Sequence, residues 1–376
     1  MSNLIESFSD VKDPRIDRTR DHPLVNIITI AICGVICGAD SWVEIESFGK
    51  AKRAWLSGFL DLTNGIPSHD TFGRVFSAID AEEFQNGFSR WIASIQSKIA
   101  GDIVSIDGKA LRRSHDNVIG RDAIYMVSAW SKANRFVLGQ RKVDEKSNEI
   151  TAIPLLLEVL ALSGCIVTID AMGCQRDITE KIVDQNADYV LSLKGNQGQL
   201  NDDTNAMFDY FKKIDFKEIE YDYKRTVSKG HGRLEIRHCW CFDPTTWQEH
   251  FRTLEKWPSI KSLALVMCER HSNGKVTKEE RTFISSLQPN ASQILDAVRS
   301  HWGIENELHW VLDIAFREDE SRIRKGNSAE NMSVLRHIAL NLLKQEQTTK
   351  MGIHGKRLKC GWDEAYLEKV LQIQSI

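Results

Sequence analysis

The order of elements predicts an α/β chain: a ribonuclease-H-like mixed sheet flanked by helices, with an inserted β-rich subdomain and an all-helical N-terminal domain. Three observations carry this. From Gly101 the hydrophobic pattern runs strand, strand, strand, helix, strand, helix, strand. Three antiparallel strands followed by alternating helix and strand form that mixed topology, with helices covering the faces. Two of the strands end alike, VSIDGK and VTIDAM, which puts Asp107 and Asp170 at the ends of β-branched runs. Finally, ILDAVRSHWGIENELHWVLDIAF (Ile294 to Phe316) reads at about 100° per residue as one amphipathic helix. Ile294, Val298, Trp302, Leu312 and Phe316 share its stripe, and Glu305 falls inside it, while Glu307 points the opposite way.

In chain order, residues 1–20 are charged and read as a loosely ordered N-terminus. Residues 21–100 read as helical. LVNIITIAICGVICGA (Leu24–Ala39) is 16 residues long, short for a membrane span, and is expected as a buried helix. Ser68 can cap a helix through Ile79, and Asp80 with Glu83 makes a capping box for the next, Ala81–Ile99. The 68–79 helix carries His69, Thr71 and Arg74 on polar positions, so this region reads either as a DNA-binding element or as a packing and dimerisation surface. Ala123–Lys132 and Arg135–Val143 are strands around a turn at Ala133-Asn134. A helix up to Gly164, a strand ending at Asp170, a helix over 175–185 and a strand over 188–194 complete the alternation. Residues 215–285 hold four alternating strands in two hairpins, with Ser272-Asn273-Gly274 as one turn. The expected organisation is a catalytic domain of 101–214 and 286–345, interrupted by the β-rich insertion 215–285 and followed by a basic C-terminal tail, 346–376.

The chain has 376 residues, a net charge of −3 and eight cysteines, none in a C-x-x-C pair. That balance neither announces nor excludes a nucleic-acid ligand, because local patches decide binding. Scattered free thiols and a polar, acidic start fit a reducing, cytoplasmic location, nucleoid-associated when bound to DNA, and give no sign of a signal peptide or membrane partner.

A strand-end Asp is often a cap or turn residue. Two of them on neighbouring strands, with a carboxylate on the apolar face of a later helix, are harder to explain that way. Converging carboxylates repel one another, and divalent cations relieve the repulsion. Mg²⁺ prefers oxygen ligands, with Mn²⁺ as substitute, and a two-ion site serves in-line displacement at phosphorus. Basic and polar groups near these ends suit a phosphate-bearing substrate: Lys109 and Arg112 after Asp107; Lys194, Asn196 and Gln197 after the fifth strand; Lys229, His231, Arg233 and Arg237 on the first hairpin; Arg299 and Trp302 before Glu305. Each also has a plainer reading as a solvated charge or, for Trp302, as core. Arg322, Arg324 and Lys325 either hold a backbone or pair with Glu318, Asp319 and Glu320. Glu307 and Asp313 stay open as alternatives to Glu305.

Taken together, IDGK, TIDAMGCQ, YVLSLKGNQ, KGHGRLEIR and HWGIENELHWVLDIAFREDESRIR resemble the H-repeat-associated, Rhs element-linked insertion-sequence transposases of the DDE type over nearly the whole chain. The resemblance implies Mg²⁺-dependent cleavage and strand transfer on double-stranded DNA, at terminal inverted repeats and target DNA, by a homodimer when two ends are synapsed. It places the family's carboxylates on Asp107, Asp170 and Glu305. The Tyr, Arg and Lys that many relatives carry around the Glu are here Val298, His301 and Leu312, with Arg299 nearby. Two rivals remain: a catalytically inactive DNA-binding remnant and a metal-dependent phosphohydrolase acting on small esters.

Overall fold

A computed structural model describes residues 2–16, 18, 20–97, 99–115, 122–144, 147–230, 232–257, 259–272 and 274–371. The helices before the first strand are α1 (Ser2–Glu6), α2 (Leu24–Ile36), α3 (Trp42–Ala51), α4 (Arg53–Leu56), α5 (His69–Ala78) and α6 (Ala81–Ile95). Then follow β1 (Ile103–Leu111), β2 (Ile124–Ser131), β3 (Phe136–Val143), α7 (Glu149–Val159), β4 (Ile166–Ile169), α8 (Arg176–Asp184), β5 (Asp188–Leu193) and α9 (Gly198–Lys213). Four long strands come next: β6 (Asp222–Gly230), β7 (Arg233–Phe242), β8 (Ser262–Ser272) and β9 (Lys275–Ser285). The chain ends with α10 (Ala291–Gly303), α11 (Trp310–Ala315), α12 (Ser328–Gln345), α13 (Ile353–Trp362) and α14 (Glu364–Leu371). It divides into two compact units, one of Met1–Lys98, Gly108–Asn148 and Glu305–Ile376, the other of Ile99–Asp107 and Glu149–Ile304.

The first unit is mainly helical. α12 is buried on nearly every side and packs against α2, α5, α6 and β3. A helix apolar only in part can be buried all round if its polar groups are satisfied. Asn341 does this by bonding both the N–H (2.8 Å) and the carbonyl (2.9 Å) of Val137. α2 is buried from Asn26 to Ile36, the inward place expected of the one long apolar run. Ser41, Ser68 and Asp80 cap α3, α5 and α6 through backbone N–H groups.

Both ends of the chain correct the sequence reading. In the N-terminal 1–20, Leu4, Phe8 and Val11 are buried, and Phe8 packs 4.9 Å from Phe84. The C-terminal segment is not a loose basic tail through its described part. Lys356 and Arg357 of α13 are buried and bond to carbonyls. Long cationic side chains read as solvent-facing from sequence, yet a guanidinium that finds several carbonyl acceptors can be buried.

The second unit is a mixed sheet in the order β1-β4-β5-β9-β8-β7-β6. β1, β4 and β5 are parallel; β9 joins β5 antiparallel, Val190 opposite Ser285 and Leu193 opposite Thr282. The two hairpins of 215–285 therefore extend the same sheet. α10 lies on it, with Ile294, Leu295 and Ala297 in one apolar cluster with Ile166, Val190, Val266 and Phe283.

A further correction concerns Ile294–Phe316. It is not one regular helix: α10 ends at Gly303, Ile304–His309 forms a π-helical turn, and α11 begins at Trp310. The widened turn changes the angular step, so the 100° projection fails beyond it. Ile294, Leu312 and Phe316 are buried as expected, but Trp302 and Glu305 are exposed.

Candidate active site

In the second unit, β1 and β4 run parallel with Ile106 opposite Ile169. Asp107 and Asp170 are each the next residue and half-buried after buried ones; Asp170 follows the end of β4, whereas Asp107 lies inside β1, which runs on to Leu111, so the strand end expected at Asp107 is corrected. One oxygen of Asp170 accepts from the N–H of Met172 (3.0 Å) and of Gly173 (3.4 Å). The turn thus fixes the carboxylate while using one oxygen. It closes tightly: a Cβ on Gly173 would lie 2.3 Å from Cγ2 of Ile169. Asn196 donates to the carbonyl of Ala171 (2.7 Å), and Gln197 to that of Cys174 (2.9 Å). These two residues brace the segment after Asp170 from the end of β5.

Sequence reasoning missed a chain of hydroxyls. Thr168 donates to Ser105 Oγ (3.1 Å), Ser105 donates to the carbonyl of Ser300 (3.3 Å), and Thr168 Oγ1 lies 3.1 Å from His301 Nδ1. A signal was present: VSID and VTID each carry a hydroxyl two residues before the Asp, hence on the same strand face. These contacts pin the C-terminal end of α10 to the paired segments of β1 and β4 just before Asp107 and Asp170. The chain continues three residues from His301 to Ile304 and then to Glu305.

In the first unit Glu305 is exposed, its carboxylate 3.5 Å from Nδ1 of the buried His309. The two alternative carboxylates are held by cations. Glu307 pairs with Lys344 at 3.0 Å, and Asp313 with Lys109 at 2.7 Å. Lys109 also reaches Glu318 (3.1 Å) and Asp319 (3.2 Å), so its ammonium is enclosed by carboxylates and does not face solvent as a DNA contact would. Burial by itself would lower the pKa of Lys109, but Glu318 and Asp313 outweigh it and hold it above the usual value. For Glu318 burial pulls upward, and Lys109 and Arg336 bring the carboxyl below its usual range.

The other expected DNA contacts are dispersed. Arg112 pairs with Asp319 at 3.1 Å although its side chain remains largely exposed. Lys194, Lys229, Arg233 and Arg299 are exposed. Arg237 pairs with Glu235 and donates to Ser228 Oγ (3.2 Å); Glu235 also takes Arg270 at 2.9 Å, so the hairpin's charge is less one-sided than its sequence suggested. His231 lies outside the described residues. Trp302 is 51% exposed, with the Arg281 guanidinium 5.4 Å from its ring centroid. Glu318, Asp319 and Glu320 pair with Lys109, Arg112, Arg317 and Arg336.

No helix among the described residues is long and apolar enough to cross a membrane.

Residues 72–342 match the model of the transposase DDE domain, and residues 5–92 match the one described as DDE_Tnp_1-associated. The chain is 41% identical to the "H repeat-associated putative transposase YhhI" of Escherichia coli K12, covering 99% of this chain and 98% of that one. It is 41% identical to the "Putative transposase YncI" of Escherichia coli O157:H7, covering 99% and 95%. A solved piggyBac transposase synaptic complex with hairpin DNA covers all of this chain and 78% of its own, at 10% identity and a TM-score of 0.44, too slight a likeness to bear on the fold. The chain belongs to the DDE-domain transposases and, within them, to the H repeat-associated group.

Proposed function

We propose that this chain is a metal-dependent DNA endonuclease and strand transferase that acts at the ends of an insertion sequence, with Asp107, Asp170 and Glu305 as its catalytic carboxylates. The observation that carries the reading is that Asp107 and Asp170 each directly follow the last register pair of two adjacent parallel strands, Ile106 opposite Ile169. The ion pairs that occupy Glu307 and Asp313 favour Glu305 as the third carboxylate. A ribonuclease-H-like core suits the β2–β3 antiparallel pair and the parallel β1, β4 and β5 alternating with α7 and α8.

An all-oxygen set of half-buried or exposed carboxylates fits Mg²⁺, with Mn²⁺ as substitute; the imidazole beside Glu305 is tolerated better by Mn²⁺. When bound, two such ions supply activation of the attacking hydroxyl and stabilisation of the leaving oxygen. The chain's own part is orientation. The Asp170 turn and the Asn196 and Gln197 braces hold one carboxylate in place. The Ser105–Thr168–His301 chain fixes the helix that leads into Glu305. Lys194, Lys229, Arg233 and Arg299 offer exposed cations to a DNA backbone, and Trp302 offers an exposed ring. The helices of 21–100 serve DNA binding or dimerisation, and two copies together handle two ends.

The test is cleavage of labelled duplex DNA taken from the flanks of the gene and containing its inverted repeats. Nicking at a repeat end with Mg²⁺ or Mn²⁺, abolished by EDTA, supports the reading. Binding without cleavage under every metal condition overturns the enzymatic part of it. Failure even to bind overturns the choice of DNA as substrate.

A further inference from the structure

The first unit contains a groove of about 620 Å³ walled by the first turns of α3 and α5 and by residues 317–328. Three of its four acidic residues are engaged, and the fourth, Asp70, is exposed. Asp40 pairs with Arg357 at 2.7 Å, Glu320 with Arg317, and Glu44 accepts the backbone N–H of Asp40 at 2.7 Å. Asp70 lies 3.7 Å from His69. Three cations on the groove are in a different position. Arg74, Arg322 and Lys325 are exposed, and among the described residues none of them lies within ion-pair distance of a carboxylate. The nearest polar partner of Arg74 is the Thr71 hydroxyl at 3.3 Å. Trp42 forms a firm wall, stacked on Phe76 at 4.9 Å and 12°. Two capped helices also present their N-termini here, which adds positive potential.

Unpaired, exposed cations of one sign from two separate segments suit an anion that lies across the groove. A small enclosed anion would call for buried polar donors, whereas these stand at the surface. Guanidinium forks match phosphate oxygens in pairs. We propose that this groove binds the phosphodiester backbone of double-stranded DNA, as a positioning contact additional to the carboxylate centre. The proposal rests on the reading of DNA as substrate. It also gives a role to the polar face of α5, which carries Arg74, and to Arg322 and Lys325 in the mixed-charge segment after Phe316.

The experiment measures binding of the full chain to the flanking duplex by fluorescence anisotropy, in EDTA, across a salt series. The native chain is compared with the triple variant Arg74→Ala/Arg322→Ala/Lys325→Ala. Each lost phosphate contact lowers the log–log salt slope by about 0.9, so the triple variant is expected to lose about 2–3 units of slope and at least about tenfold in affinity near physiological salt. Arg74→Lys/Arg322→Lys keeps the charges and is expected to keep the slope. Lys213→Ala/Lys217→Ala/Lys256→Ala, which removes three exposed cations elsewhere, sets the non-specific level. A triple variant with native melting temperature and native slope overturns the groove while the DNA reading stands. A native chain without affinity for DNA overturns both. Should the triple variant unfold, Arg322→Glu/Lys325→Glu on the exposed segment must weaken binding more than the lysine control, or the proposal falls.

Discussion

Ile106 of β1 is the register partner of Ile169 of β4, so Asp107 and Asp170 stand side by side just past the last paired residues of two parallel strands. The relation depends on the turn after Asp170, where Gly173 packs against Ile169 too closely for any side chain. Gly173→Ala should therefore shift that turn. Overpacking of this kind costs roughly 1–3 kcal/mol. Chemical unfolding should report that loss, and DNA cleavage should fall by more than the stability change explains.

Glu318 is buried between Lys109 and Arg336, at 3.1 and 3.4 Å. Replacing it with Leu leaves two cations without their central partner. Removing one side of a buried ion pair costs about 3–5 kcal/mol. Glu318→Leu should lower the melting temperature strongly, and Arg336→Met in the same background should recover part of it, since Lys109 keeps Asp313 and Asp319. Full stability in Glu318→Leu alone would show that the network is not structural.

Burial lowers the pKa of His337 from 6.5 to about 4. The unfolded chain then takes up a proton below pH 6.5 that the folded chain refuses until about pH 4, so stability falls as pH drops through that window. Lowered folded-state pKa in Glu318 acts in the same direction further into acid, since its contribution is lost as pH falls through the folded value. Linkage puts the His337 part at up to about 3 kcal/mol. Urea unfolding at pH 7, 5.5 and 4.5 should show the decline, and His337→Gln should flatten it.

Arg357 donates to the carbonyls of Val35 and Ala315, pairs with Asp40 at 2.7 Å and lies 4.2 Å from the Phe316 ring centroid. A lysine cannot reproduce that fork. Arg357→Lys and Arg357→Ala should both destabilise the chain by about 2 kcal/mol or more, and removal of residues 346–376 should leave an aggregating product. A stable truncated chain would contradict the buried role of α13.

Trp302 gives the opposite expectation. Being half exposed, it contributes little packing, and Trp302→Ala should change stability by less than about 0.5 kcal/mol. DNA affinity or cleavage should nonetheless fall, as read by the same anisotropy and nicking assays.

The strands, and the end of β4 at Asp170, were legible in the sequence, because period-two alternation and a terminal polar residue are local features; the run of β1 past Asp107 to Leu111 was not. The sheet's continuation through β9 was not, since which strand pairs with β5 depends on contacts distant in sequence. Glu305 was singled out for the wrong reason. A straight helical projection put it on the buried stripe, whereas a π-helical turn leaves it exposed beside His309. The burial of Lys356 and Arg357 was invisible because most of their acceptors are backbone carbonyls, which no residue type reveals, and their carboxylate partners, Glu346 and Asp40, are fixed only by the fold.

The most direct test of the central claim compares native chain, Asp107→Asn, Asp170→Asn and Glu305→Gln on one labelled flanking duplex. Binding is measured in EDTA and nicking in Mg²⁺ and Mn²⁺. The account predicts that all four bind DNA with similar affinity, that the native chain nicks at the repeat end, and that each variant loses at least about a hundredfold in rate, the scale of removing one group that stabilises developing charge. A variant that keeps native nicking removes that residue from the centre, and native nicking in all three would contradict the account.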